Sequence, residues 1–157
     1  MTSIDTGRRQ ALKTGGGFAV VVAAIGAGVL PASAFADWNK AAFDAKSLND
    51  VVKALGGAGV EKSGDIAITA PDIAENGAVV PIAVASKIAG TQSIAILVEK
   101  NPYALSAQFD IPAGTEANVG TRVKMGQSSN VHAVVKANGK YYVATKEVKV
   151  TLGGCGG

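Results

Sequence analysis

The sequence predicts an all-β fold: an immunoglobulin-like antiparallel sandwich of about seven strands, fronted by a helix and followed by a flexible arm of glycines around a cysteine. Three observations carry that expectation. From Asp65 onward apolar and polar residues alternate and β-branched types become frequent, as in half-buried strands. Asn138-Gly139 separates two such runs, and a two-residue type I′ hairpin needs φ > 0 at both positions, which this pair tolerates. Ahead of the strands, Trp38, Ala42, Ala45, Leu48, Val52 and Leu55 recur every three or four residues and draw one apolar stripe down a helix.

The helix should stop at Gly56-Gly57, because glycine takes the left-handed conformation that commonly closes a helix. Ser47 with Asp50 three residues later can cap a fresh start, so a break near Ser47 is expected. The segment reads as an amphipathic cover, with a partner-binding helix as the alternative. Strands are expected at 65–70, 78–87, 93–99, 105–109, 120–125, 130–137 and 140–152. Asn76-Gly77 should turn by chemistry similar to Asn138-Gly139. Pro81 falls inside its strand and cannot donate to a ladder, so that strand should be an edge or be bulged there. With one cysteine, no disulfide can join the layers, which must hold by apolar packing.

Residues 1–36 read as a cleaved export signal: Arg8, Arg9 and Lys13 precede an apolar stretch from Gly15 to Leu30, which ends at Ala34-Phe35-Ala36. The adjacent arginines partly match the twin-arginine pattern, with Gly7 and Ala11 where that pattern usually has other residues, so Tat export is expected and Sec is the alternative. The domains are then the signal at 1–36, a helix-plus-sandwich carrier domain at 37–152 and the arm at 153–157, with no membrane association after cleavage and a periplasmic location. The full chain has 15 Lys+Arg against 12 Asp+Glu, and removal of the signal leaves twelve against eleven. With that balance and eight aromatics in the whole chain, no basic or stacking surface for nucleic acid is expected.

Self-contained catalytic chemistry is missing from the pattern. His132 is the sole histidine and lies in an alternating run, with no second soft ligand for a metal, so no metal site, cofactor or catalytic residue is assigned. Asp72, Glu75, Asp110 and Glu116 fall in expected loops, and Gly56-Gly57-Ala58-Gly59 follows a helix instead of opening one as a phosphate loop would. The informative feature is Cys155, held between Gly153-Gly154 and Gly156-Gly157. Four glycines around one thiol make a thin thread that can enter a narrow cleft without side-chain clashes. Lys146 and Lys149 lie nearby in sequence, where they could attract an anion or simply be solvated. The pattern fits a carrier that offers a thiol-bound cargo to other proteins. Its alternative is an exported immunoglobulin-like binding module joined to a second copy through a Cys155 disulfide. A ubiquitin-like sulfur carrier and a metallochaperone fit less well, given the export signal and the shortage of ligands.

The Gly-Gly-Cys-Gly-Gly motif resembles the SoxY family of sulfur carriers. Pro71, Ala74-Glu75-Asn76-Gly77, Val80-Pro81, Asn101-Pro102, Phe109, Thr121-Arg122 and the run 148–150 resemble it too. That resemblance implies that Cys155 carries thiosulfate-derived sulfur as an S-thiosulfonate or persulfide adduct. It implies SoxZ as the heterodimer partner, SoxAX for loading, SoxB for sulfate release and SoxCD for oxidising the remaining sulfane sulfur.

Overall fold

The computed structural model describes residues 39–151, and the expected signal and the 153–157 arm lie outside the described residues. Asn39 accepts the Ala42 N–H with its side chain and starts α1 (Lys40–Asp44). Ser47 takes extended backbone geometry and its hydroxyl accepts the Asp50 N–H, starting α2 (Leu48–Ala54), so the break near Ser47 is present as expected. Closure of α2 follows the Schellman pattern. Gly56 has φ 89°, the Gly56 N–H donates to Lys53 O, and the Gly57 N–H donates to Val52 O at 2.8 Å.

Nine strands follow among the described residues. One sheet has the order β1 (Glu61–Lys62), β9 (Lys140–Val150), β8 (Ser129–Ala137), β5 (Thr91–Val98) and β6 (Leu105–Asp110), with β3 (Ile73–Ala74) also on β9. The other has the order β2 (Ile66–Thr69), β4 (Val80–Ser86) and β7 (Asn118–Val123). All seven expected strands are present, with ends shifted by a few residues. β1 and β3 are additions. Each is two residues long and runs parallel to β9, pairing Glu61↔Tyr142 and Ile73↔Lys149. They occupy successive stretches of one β9 edge, and between them the chain leaves to place β2 in the facing sheet.

Two apolar layers meet at the large sheet. On its inner face Ile94, Ile96, Val98, Val131, Ala133, Val135 and Val148 pack against Val80, Ile82 and Val84 of the small sheet. Its other face brings Ala95, Leu97, Val134, Tyr141 and Val143 against Ala42, Val51 and Val52 of the helices. Full burial of a Val, Leu or Ile side chain is worth roughly 1.5–3 kcal/mol, so both layers contribute substantially. The helices are therefore a structural cover that buries their apolar stripe. Tyr141 ties the cover down by donating its hydroxyl to Leu55 O at 2.5 Å.

The β8–β9 hairpin turns at Asn138 (φ 50°) and Gly139 (φ 77°), as type I′ geometry requires. Pro81 has two surroundings. Against β7 it pairs with Arg122, but β2 ends its pairing with β4 at Thr69↔Ala83, so β4 is an edge beside Pro81. Extending that register by two residues sets Pro71 against Pro81, and neither proline has an N–H to continue the ladder. A cleft of about 970 Å³ opens there, lined by residues that include Thr69, Pro71, Pro81, Gly120 and Arg122.

Candidate functional site: the root of the cysteine segment

Cys155 and its four flanking glycines lie outside the described residues, but the strand leading to them is fixed to its last residue. Val150 closes β9 and is held from both sides. Its N–H donates to the Ser128 hydroxyl at 2.9 Å, and that hydroxyl is 3.4 Å from Val150 O as donor. On the opposite edge, the Lys149 N–H donates to Asp72 O and the Thr151 N–H to Ala74 O at 3.1 Å. The Thr151 hydroxyl adds a contact to Glu75 O at 3.4 Å.

Gly77 lies against the Val150 side chain. A Cβ built on Gly77 would stand 2.8 Å from Val150 Cγ1 and 2.4 Å from Met125 O, so no other residue fits unless the neighbours move. Gly77 O in turn accepts the Met125 N–H at 2.7 Å. The turn at Asn76-Gly77 is real, with the Asn76 side chain accepting the Ala78 N–H at 2.9 Å. Its glycine, however, serves close approach and has no positive φ. Sequence reasoning found the turn and missed the socket, which joins segments around 74–77, 128 and 150 that are far apart along the chain.

The other candidate residues are placed as follows. Lys146 is engaged: its ammonium donates to Ala70 O at 2.7 Å and pairs with Asp72 at 3.0 Å, which helps hold the crossing between β2 and β3. Lys149 is exposed and lies two residues before Thr151. Asp110 is the last residue of β6, while Asp72, Glu75 and Glu116 lie in connections. No acid–base pair forms among these four, and among the described residues no group of three or more potential ligands could hold a metal.

His132 sits on the helix-side face of the large sheet, with Nδ1 2.8 Å from the Thr145 hydroxyl and Nε2 3.5 Å from Glu99. Burial pushes its pKa below the ordinary imidazole value, and the Glu99 carboxylate opposes that shift. Glu99 is itself held below the usual carboxylate range, chiefly because the Asn130 amide donates to it at 2.8 Å. The histidine is a structural group of the sheet. No helix among the described residues is long and apolar enough to cross a membrane.

The end of the sandwich that carries Val150 differs from the opposite end. Ile73 is 58% exposed, Val79 49% and Tyr103 56%, and these are the exposed large apolar side chains among the described residues. Ile73 pairs with Lys149, Val79 follows the Gly77 turn, and the Tyr103 loop is tied by the Asn101 amide to Lys124 O at 2.8 Å. All three belong to the end from which the cysteine segment departs.

Comparison with known proteins now decides the family. The family model for the sulfur oxidation protein SoxY matches residues 51–155, about two thirds of the chain and up to the cysteine. The chain belongs to the SoxY family. A solved structure, the sulfur carrier protein SoxY from Chlorobium limicola f thiosulfatophilum, is 38% identical with a TM-score of 0.61. The match covers 66% of this chain and 94% of that SoxY. A chain from a structure on T cell activation by the bacterial superantigen toxic shock syndrome toxin-1 is 12% identical with a TM-score of 0.39, covering 55% of this chain and 99% of its own. That likeness is too low to bear on fold or function. No curated protein matches. The SoxY likeness agrees with the observed sandwich and its short helices.

Proposed function

We propose that this SoxY-family chain is a periplasmic carrier that holds thiosulfate-derived sulfur covalently on Cys155 and presents it to separate enzymes. The observation that carries the reading is the SoxY match running to Cys155, the chain's single cysteine. In this reading residues 1–36 direct export, by the Tat route, and are removed. Residues 153–157 form the arm, with glycine pairs on either side of the thiol acting as joints. An ordinary thiol has a pKa near 8.5, so the loading enzyme supplies the activation. SoxZ is the stable partner, SoxAX loads the thiol, SoxB hydrolyses the adduct and SoxCD oxidises the sulfur left behind. The domain contributes presentation and no bond chemistry of its own.

The hydrolytic step balances without a redox partner: R–S–S–SO₃⁻ + H₂O → R–S–SH + HSO₄⁻, where R is the carrier. Water attacks the sulfonate sulfur and the S–S bond breaks with the electron pair leaving on the sulfane sulfur. Intact-mass spectrometry tests the reading, using mature protein from thiosulfate-grown cells without reductant. Sulfur or thiosulfonate additions on the Cys155 peptide that vanish with reductant and in Cys155→Ser are expected. A bare thiol, or only a symmetric Cys155 disulfide, would move the assignment to a cross-linked binding module.

A further inference from the structure

We infer that Ile73 and Val79, with Tyr103 beyond them, form an apolar collar around the root of the arm, against which the rim of a receiving enzyme's cleft packs. The inference rests on the carrier reading and adds the surface through which delivery occurs. Singly exposed apolar residues are ordinary on a protein surface. Here the exposed large ones gather at one end of the sandwich, and it is the end that launches Cys155.

The length of the arm makes the collar unavoidable for a visiting enzyme. Thr151 is the last described residue and its N–H donates to Ala74 O, and Cys155 lies four residues beyond it in the sequence. Four extended residues span about 13–14 Å. A cleft that swallows the thiol must therefore bring its mouth to within that distance of Thr151. Ile73 is paired with the residue two before Thr151, and Val79 is two residues from Gly77, which touches Val150. Both side chains thus stand inside the circle that any receiving rim must cover. Their chemistry selects the partner: a protein surface with an apolar lip.

The socket makes this geometry reproducible. A strand end free to fray would let the arm lengthen and its exit wander. Hydrogen bonds on both edges of Val150 and the Gly77 contact fix the exit point relative to Ile73 and Val79. The point at which the chain leaves β9 is therefore set relative to the collar from one visit to the next.

The test uses the mature full chain purified with SoxZ and loaded chemically. Tetrathionate supplies the group: RS⁻ + ⁻O₃S–S–S–SO₃⁻ → R–S–S–SO₃⁻ + S₂O₃²⁻, with the thiolate displacing thiosulfate. Sulfate release by SoxB is followed for wild type, Ile73→Ser, Val79→Ser and the pair, with Ile73→Val as the conservative control. The expected result is a rise in KM of about fivefold or more for the pair with kcat retained, and near-normal KM in Ile73→Val. Iodoacetamide should alkylate Cys155 at an unchanged rate in every variant, since the thiol itself is untouched. A KM within twofold of wild type in the pair overturns the collar. Loss of SoxZ from the purified variants also overturns it, assigning the patch to the stable partner. Failure of SoxB on loaded wild type is a different result, because it removes the carrier reading and the collar falls with it.

Discussion

The Ser128 hydroxyl contacts both backbone polar atoms of Val150, accepting from its N–H at 2.9 Å and reaching its carbonyl at 3.4 Å. A side chain 22 residues upstream thereby supplies the pairing that a neighbouring strand would otherwise give to the end of β9.

Ser128→Ala should cost about 1 kcal/mol, the usual net worth of one lost hydrogen bond, because the Val150 N–H loses its side-chain acceptor. Amide exchange at Val150 should accelerate more than exchange at Val148, which is fully buried. Ser128→Thr retains the hydroxyl and should restore protection. Equal exchange at Val150 in Ser128→Ala and wild type would show that the hydroxyl does not hold the strand end.

Gly77 and Gly59 offer a controlled pair. An added methyl at Gly77 meets Met125 O and Val150 Cγ1, whereas one at Gly59 has nothing within 4 Å. Gly77→Ala should lose about 1–3 kcal/mol, the usual range for forced overpacking, and Gly59→Ala should be close to neutral. Urea midpoints for both variants check this, and a neutral Gly77→Ala would mean that the 74–79 connection yields freely.

The His132 imidazole gives the stability a pH dependence of defined sign. Its folded-state pKa lies below the ordinary 6.5 because burial disfavours the charged ring, so the unfolded chain binds the proton more readily. Its contribution is complete above about pH 6.5 and is lost as pH falls through that value towards the folded pKa. Glu99 has the same sign at lower pH. Its depressed pKa gives stability that is present above its ordinary 4.5 and lost as pH falls through the folded value. Urea midpoints should decline between pH 7 and 5.5, and His132→Gln should flatten that decline. An imidazole that titrates at or above 6.5 by NMR would contradict the burial argument.

Legibility in the sequence depended on how local each signal was. Asn138-Gly139 announced its hairpin because the backbone requirement sits in the two residues themselves, and Ser47 announced its cap for the same reason. β1 and β3 were invisible, since two residues carry no periodicity and their pairing with β9 spans about eighty positions. In β5 the run Ile94–Val98 is buried throughout, because helices cover one face and the small sheet the other. Continuous apolar sequence there shows burial but not which layer covers which side. For the site, Cys155 and its glycines stood out at once. Ser128 did not, being one serine beside another in a polar loop. Its role appears only when the strand end is brought to it.

The proline pair at the end of the β2–β4 ladder has a consequence for life in a crowded compartment. A sheet edge normally offers alternating donors and acceptors to any passing extended chain, which is how soluble β-proteins begin to aggregate. Beside Pro81 the border of β4 lacks its donor, and Pro71, where β2 turns away, lacks one too. A stray strand arriving at that cleft finds an acceptor without the donor that would lock it in register. The same substitution of ring for N–H that stops the native ladder also guards the opening it leaves.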